Sequence, residues 1–169
     1  MTDVVPAKTS GPSLSTRLAF GFGGAAEGIK NNGFEYFLLF FYSQILGVPA
    51  AMVFLALMIA LVVDALSDPI VGYWSDNLRT RIGRRHPFMY AALLPVGLTY
   101  YLAWNPPEGL SPNGLFIWLL VLTISVRLSF TMYEVPSTAL VPELTPEYDA
   151  RTSLMSYRYF FAWVGGLSI

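Results

Sequence analysis

Long apolar segments alternate with short polar connections along almost the whole chain. After a polar start, the apolar segments cover about 18–46, 50–74, 87–104, 114–141, and 154–169 and beyond. About 20 apolar residues, at a rise of about 1.5 Å per residue in a helix, cross the roughly 30 Å hydrocarbon core of a bilayer. The pattern therefore predicts an all-α transmembrane protein with about five spans.

The polar start and the apolar end set the expected domain organisation. Residues 1–17 contain two prolines and lack the apolar core of a cleavable signal peptide, so we expect a disordered cytoplasmic tail. A transmembrane bundle is then expected over 18–169. Because the chain is still apolar at Ile169, with no charged residue or helix cap to end the last helix, we expect a partial bundle that does not transport on its own.

Basic residues predict the orientation of the spans. Lys8 and Arg17 precede the first span, and four arginines lie in the second connection, 75–86. The first and third connections, 47–49 and 105–113, contain neither Lys nor Arg. Cytoplasmic loops of membrane proteins carry an excess of these residues, so the amino terminus and the arginine-rich loop are expected on the cytoplasmic side.

Composition narrows the possible functions. Hydrophobic residues make up 54% of the chain and charged residues only 12%, which is typical of membrane proteins and unlike the average soluble domain. The net charge of −1 gives no indication of a nucleic-acid partner. The absence of cysteine excludes disulfides and thiol catalysis.

Two carboxylates lie inside the second apolar segment, where charge is costly. Asp64 and Asp68 are four residues apart and so share one helix face. Each costs roughly 2.5–3.5 kcal/mol near the centre of a bilayer, so a role in moving ions or solutes is the default hypothesis. The alternative is that the two acids only brace a contact between helices.

Two further acids are predicted at a similar depth on other spans. Given the expected orientation, Glu27 in the first span and Glu134 in the fourth lie at about the level of the two aspartates. Acids on separate helices at one level can neutralise a cation that none could hold alone. In the alternative interpretation they form ordinary salt bridges, Glu27 with Lys30 and Glu134 with Arg127.

The second connection resembles a known family signature. The pentapeptides GYWSD (72–76) and RIGRR (81–85), four residues apart, resemble the signature between helices two and three of the major facilitator superfamily. With the flanking segments 64–69 and 86–88, the region is similar to the glycoside–pentoside–hexuronide:cation symporters, the melibiose-carrier family. Further matches lie at 21–23, 131–136 and 157–161. The resemblance covers essentially the whole chain after the tail, and it implies about five helices of the amino-terminal six-helix half of a major-facilitator fold.

The resemblance also implies roles for individual residues. Asp64 and Asp68 match two aspartates that bind the coupling cation, sodium or a proton, and Thr131 matches a threonine of that cation site. Glu134 matches an acid shared by cation and sugar, and Arg158 matches an arginine of the sugar site. In the family the second connection is a gating latch, and its residues in this chain are Gly72, Asp76, Arg81, Gly83, Arg84 and Arg85.

Three positions depart from the family pattern. The helix-one acid that holds sugar hydroxyls aligns with Gly28, one residue after Glu27. The helix-four tryptophan that stacks on sugar aligns near Thr138, and Ser67 replaces an asparagine between the aspartates. We still expect cation coupling and a polar, hydroxyl-rich solute. The residues expected to hold or line the solute site are Arg158, Glu134, Glu27 and Tyr133.

These observations predict a cation-coupled symporter of sugars or glycosides that works by alternating access in a bacterial inner membrane. Its expected partners are the solute, a monovalent cation, the bilayer and the carboxy-terminal half of a full-length transporter, with no cofactor beyond the coupling ion. A sodium-coupled lysolipid transporter is the alternative, because the stacking tryptophan is missing. An intramembrane aspartyl enzyme fits less well, because its two aspartates must lie on different helices and share a proton. We therefore expect no enzymatic activity.

Overall fold

The computed structural model describes residues 11–169, apart from the side chain of Glu35, and these residues form helices and no β-strand. Residues 1–10 of the predicted tail lie outside the described residues. The end of that tail is already helical, because the first helix begins at Leu14. Ser13 caps this helix, since its Oγ accepts a hydrogen bond from the backbone N–H of Thr16 at 3.3 Å.

The all-α class predicted from the apolar pattern is confirmed. In chain order the helices are α1 Leu14–Asn32, the π-helical turns Gly33–Leu38 and Phe41–Ile45, α2 Ala50–Asn77, α3 His86–Trp104, α4 Pro112–Ala139, α5 Val141–Leu144 and α6 Tyr148–Leu167. Helices α1, α3, α4 and α6 begin before their apolar segments. Two stretches, Ala50–Asn77 and Pro112–Leu144, are long and apolar enough to cross a membrane by length and composition.

The last helix differs most from its predicted span. α6 begins at Tyr148, six residues before the apolar segment that marked it. Asp149 lies in its first turn, where a carboxylate interacts favourably with the positive end of the helix dipole. Arg151 donates from Nε to the carbonyl oxygen of Thr145 at 2.9 Å. The apolar segment therefore marks only part of α6, and polar contacts lie at the start of the helix.

The described chain forms two compact units, and the first contains α1 and the chain from Val141 onwards. Within it, α1 packs against α6 at glycines. A Cβ atom at Gly28 would overlap the carbonyl group of Ala162, and a Cβ atom at Gly24 would overlap the carbonyl oxygen of Arg158. Small residues of this kind let helix backbones touch in membrane proteins.

The second unit, Phe34–Leu140, contains the π-helical turns and helices α2 to α4. Helix α4 packs against both α2 and α3. Tyr42 is fully buried there, and its hydroxyl donates to the carbonyl oxygen of Ala103 at 2.8 Å, so the polar atom is satisfied in apolar surroundings. The core of the unit consists of Phe34, Leu38, Tyr42, Val48, Val53, Ala56, Leu115, Leu119 and Val126.

Candidate functional site

Two acids of α2 and one threonine of α4 meet inside the second unit. Asp64 and Asp68 lie one turn apart on α2, which packs against α4. The Oγ1 atom of Thr131 lies 3.0 Å from Oδ1 of Asp64 and 3.0 Å from Oδ1 of Asp68. Because a hydroxyl carries one proton, Thr131 donates to one carboxylate at a time and leaves its oxygen available to a further partner. Hard oxygen atoms of this kind suit a small cation.

Arg127 of α4 joins the same group of side chains. Its Nη1 atom lies 2.8 Å from Oδ2 of Asp64, and both side chains are mostly buried, at 17% and 21% exposure. The alternative pairing of Arg127 with Glu134 is wrong. Those two residues are seven positions apart on α4, about 10 Å along the helix axis, whereas Asp64 lies opposite Arg127 on the neighbouring helix.

Glu134 and Tyr133 follow Thr131 on α4, and both are half-buried. The ring of Tyr133 lies 5.9 Å from that of Phe130, centroid to centroid. Thr138, where the family tryptophan aligns, donates its hydroxyl to the backbone carbonyl of Glu134 at 2.9 Å. Within residues 11–169, no three or more His, Cys, Asp or Glu side chains lie close enough together to hold a metal ion. The described oxygen cluster is therefore built from two acids and a hydroxyl.

Ser67, at the asparagine position of the family, serves the backbone of its own helix. It is buried, and its Oγ donates to the carbonyl oxygen of Asp64 at 2.9 Å. The Ser67 hydroxyl thus bonds to the backbone of its own helix. The side chain that bridges Asp64 and Asp68 is Thr131 of α4.

The predicted solute residues Glu27 and Arg158 pair within the first unit. Nε of Arg158 donates to Oε2 of Glu27 at 3.2 Å. The Arg158 side chain is only 2% exposed, and its guanidinium carbon lies 5.5 Å from the centre of the Phe20 ring, a favourable cation–π distance. The structure thus brings together an acid and a base that lie 131 positions apart in the sequence.

The packing of α1 against α6 explains why the acid stands at position 27 and not at 28. Gly28 faces the backbone of α6, where the carbonyl carbon of Ala162 would lie 2.7 Å from an added Cβ atom. A carboxylate side chain at position 28 is therefore incompatible with this contact. One position earlier, Glu27 reaches Arg158.

The arginine-rich loop holds the end of α2 to the end of α4 through one residue. Arg85 donates to Oδ1 of Asp76 from Nε at 3.0 Å and from Nη2 at 2.7 Å. Its Nη1 atom also donates to the backbone carbonyl of Ala139 at the end of α4. Gly83 adopts a φ of 102°, in the left-handed region that favours glycine, and turns the chain towards α3. The other basic residues of the predicted latch, Arg81 and Arg84, are exposed.

Gly72, a residue of the predicted latch, lies beside α4 without a close backbone contact. An added Cβ atom would lie 3.5 Å from Cγ1 of Val135, an ordinary van der Waals distance. The contact between α2 and α4 therefore does not require a glycine at position 72 in this structure.

Two polar contacts were not predicted from the sequence: Arg85 with the Ala139 carbonyl, and Arg127 with Asp64. Neither follows from the spacing of residues along one helix.

Comparison with known proteins agrees with this architecture. Residues 19–169 match the family model described as MFS/sugar transport protein. The chain is 39% identical over 158 residues to the uncharacterized symporter sll1374 of Synechocystis, covering 90% of this chain and 29% of that protein. It is 29% identical over 157 residues to the putative glycoside/cation symporter YagG of Escherichia coli, covering 93% and 34%. It is 31% identical over 147 residues to the sodium-dependent lysophosphatidylcholine symporter 1 of Xenopus tropicalis, covering 86% and 28%.

The match over residues 19–169 identifies the class of the protein as a membrane transporter, and the chain belongs to the major facilitator superfamily, in its MFS/sugar transport protein family. It corresponds to the amino-terminal region of the glycoside–pentoside–hexuronide:cation symporters. The family consists of integral membrane transporters and not of enzymes. The chain spans about a third of the length of the curated relatives it matches.

Proposed function

We propose that this chain is the amino-terminal part of a cation-coupled symporter of sugars or glycosides that works by alternating access. The observation that carries the proposal is the contact of Thr131 with both Asp64 and Asp68 at 3.0 Å. In the complete protein the membrane would be a bacterial inner membrane, with the amino terminus and the arginine-rich loop on the cytoplasmic side. The activity requires the carboxy-terminal half, and the coupling ion, sodium or a proton, replaces any cofactor.

The charges of the α2–α4 cluster support a monovalent cation as the coupling ion. Asp64 and Asp68 carry two negative charges, and Arg127 supplies one positive charge to Asp64. Asp68 is exposed on the surface of the second unit. A carboxylate at membrane depth is expected to face a water-filled cavity or the protein interior rather than lipid. One net negative charge beside such a cavity is what a single monovalent cation neutralises.

The solute site is proposed to use Arg158, Glu27, Glu134 and Tyr133. Arg158 and Glu27 offer charged donors and acceptors in an ion pair whose guanidinium is almost fully buried. Charge-assisted hydrogen bonds are shorter and stronger than neutral ones, so such groups discriminate well between hydroxyl-rich solutes. The printed name of the relative YagG, a putative glycoside/cation symporter, supports this class of solute.

A sodium-coupled lysolipid transporter is the second candidate. The Xenopus relative of that name is 31% identical to this chain, close to the identity of the glycoside-related protein. The sugar-stacking tryptophan of the family aligns near Thr138, so α4 has a threonine and no aromatic residue at position 138. The same pair of aspartates would serve the cation in either case.

Uptake by the complete transporter in proteoliposomes separates the two candidates. We expect accumulation of a glycoside, pentoside or uronate driven by an inward sodium or proton gradient, with no competition from lysophosphatidylcholine. Empty proteoliposomes are the control. Saturable lysolipid uptake with no sugar transport would select the second candidate, and gradient-independent uptake of every solute would refute cation coupling.

The loop network is proposed to control switching between inward- and outward-facing states. Asp76→Asn or Arg85→Gln removes one side of the ion pair that joins the ends of α2 and α4. We expect the transport rate to fall about tenfold while the solute concentration for half-maximal uptake changes by less than about twofold, because the network biases a conformational equilibrium. Arg79→Gln, at an exposed arginine of the same loop, is the matched control. A large loss of solute affinity at unchanged rate would instead indicate direct contact with solute.

A further inference from the structure

Arg127 contacts the same carboxylate that the cation is proposed to use. Its Nη1 atom lies 2.8 Å from Oδ2 of Asp64, while Oδ1 of Asp64 lies 3.0 Å from Oγ1 of Thr131. Both oxygens of Asp64 therefore have partners. The guanidinium pairs with Oδ2 and compensates the charge of the carboxylate.

The contact of Arg127 with Asp64 uses a single nitrogen. In the described part of the chain the Nε atom of Arg127 is buried and has no hydrogen-bond acceptor. Arg85, by contrast, holds Asp76 through Nε and Nη2 together. Two-pronged arginine–carboxylate pairs gain geometric specificity as well as energy, so a one-pronged pair is the easier one to exchange.

Asp68 differs from Asp64 in having no basic partner within residues 11–169, where its recorded contact is Thr131. A cation attracted to Asp68 and to the oxygen of Thr131 must approach Asp64, because Thr131 lies at 3.0 Å from both acids. There it meets the guanidinium of Arg127, which carries the same sign of charge. Two positive charges bound to the same carboxylate repel each other, and the repulsion is strongest where water is excluded.

We propose that Arg127 is a tethered counter-ion that competes with sodium for Asp64, so that sodium binding displaces the guanidinium from this carboxylate. This inference rests on the cation site proposed above and adds a residue that sets its affinity. The apparent affinity for a ligand falls by the fraction of molecules whose site is competent to bind it. Arg127 therefore keeps the sodium affinity low and couples ion binding to a movement of its side chain at the α2–α4 contact.

The test is a sodium titration of the purified complete transporter in detergent, at fixed pH and with choline chloride keeping the ionic strength constant. The readout is the rise in the midpoint of thermal unfolding, because a ligand at concentration c that binds only the folded state stabilises it by RT ln(1 + c/Kd), from which the sodium Kd is fitted. Arg127→Gln is expected to lower the sodium Kd fitted from this titration about tenfold. Without sodium the same variant is expected to unfold at a lower temperature than the wild type, because Asp64 loses its counter-ion.

A second variant and a control keep the test independent of folding defects. Arg127→Lys keeps the charge but loses the guanidinium geometry, and we expect a smaller gain in sodium affinity, about twofold to threefold. Ser125→Ala, at an exposed hydroxyl of α4 that donates to its own helix, should behave as the wild type. If Arg127→Gln does not fold, an unchanged sodium affinity in Arg127→Lys overturns the inference.

The outcomes separate this inference from the proposed function. A sodium response in the wild type that is unchanged or weakened in Arg127→Gln would overturn the competition and leave cation coupling intact. No sodium response in the wild type, together with uptake driven by a proton gradient, would also overturn it and leave coupled transport intact. Uptake that is independent of any cation in the wild type but sodium-dependent in Arg127→Gln would refute the proposed coupling and support Arg127 as the resident counter-ion.

Discussion

Asp64→Asn and Asp68→Asn are each expected to abolish ion-driven accumulation of solute by the complete transporter. Amide and carboxylate have nearly the same shape, so the substitution removes charge from the contact with Thr131 while preserving its packing. Moving one elementary charge across 100 mV is worth about 2.3 kcal/mol, which corresponds to roughly fiftyfold accumulation of a neutral solute. In either variant the accumulation ratio should fall to about one, the value for passive equilibration.

The measurement is uptake of radiolabelled solute into proteoliposomes at an imposed membrane potential. Counterflow exchange without a gradient should survive in both variants, because exchange needs the solute site and not the cation. Asp149→Asn, at an exposed acid in the first turn of α6, is the matched control and should accumulate solute normally. Full accumulation in both aspartate variants would refute their assignment to the cation site.

The helical class was predictable because each apolar segment is long enough to form a helix by itself. The thickness of the bilayer sets the length of a spanning helix, and this length can be counted along the sequence. Turn residues such as those in 105–113 mark the connections. The ends of helices were less predictable. α6 begins in the polar segment before Leu154 because Arg151 and Asp149 stabilise its first turn, and such contacts leave no hydrophobic pattern.

The π-helical turns after Asn32 were not predicted either. A wider turn shifts residues around the helix without changing their hydrophobicity, so Gly33–Leu38 and Phe41–Ile45 look like ordinary apolar helix in the sequence. π-helical turns occur frequently at functional sites. Tyr42 lies in the second of these segments, where its hydroxyl reaches the backbone of α3.

The candidate site was predictable only where residues share a helix. Asp64 and Asp68 share a face by their spacing alone, and the contact with Thr131 is compatible with the family pattern. The alternative interpretation gave Arg127 the wrong partner, because pairing along one helix ignored the neighbouring helix that α4 packs against. Contacts between helices depend on how each helix is rotated and on its depth in the membrane. Neither can be predicted from the spacing of residues in a single sequence.

Gly28 shows how packing information can settle a departure from a family pattern. In the sequence, the acidic position of the family aligns with Gly28, one residue after Glu27. In the structure, α1 and α6 touch at Gly24 and Gly28, and the acid at position 27 reaches the buried guanidinium of Arg158. The structure therefore places an acid beside Arg158, one position before the glycine in the chain.

Arg158→Lys is expected to weaken solute binding by about 10- to 100-fold, or roughly 1.4–2.8 kcal/mol. The side chain is 2% exposed, donates to Glu27 at 3.2 Å and lies over the ring of Phe20, so its planar guanidinium is held in one orientation. Lysine keeps the charge but offers a compact ammonium in place of a fork of donors, and it loses the stacked geometry. Equilibrium binding of the labelled sugar to the purified complete transporter measures the effect.

Sodium binding provides the internal standard for this variant. Asp64, Asp68 and Thr131 lie on α2 and α4, neither of which carries Arg158, so the sodium Kd fitted from the thermal titration should change by less than about twofold. Arg151→Lys, the same substitution at the start of α6, should leave both affinities unchanged. Glu27→Gln should also weaken sugar binding, because it removes the carboxylate that pairs with Arg158. Unchanged sugar affinity in Arg158→Lys, or displacement of the label by lysophosphatidylcholine and by no sugar, would contradict a role of Arg158 in a sugar site.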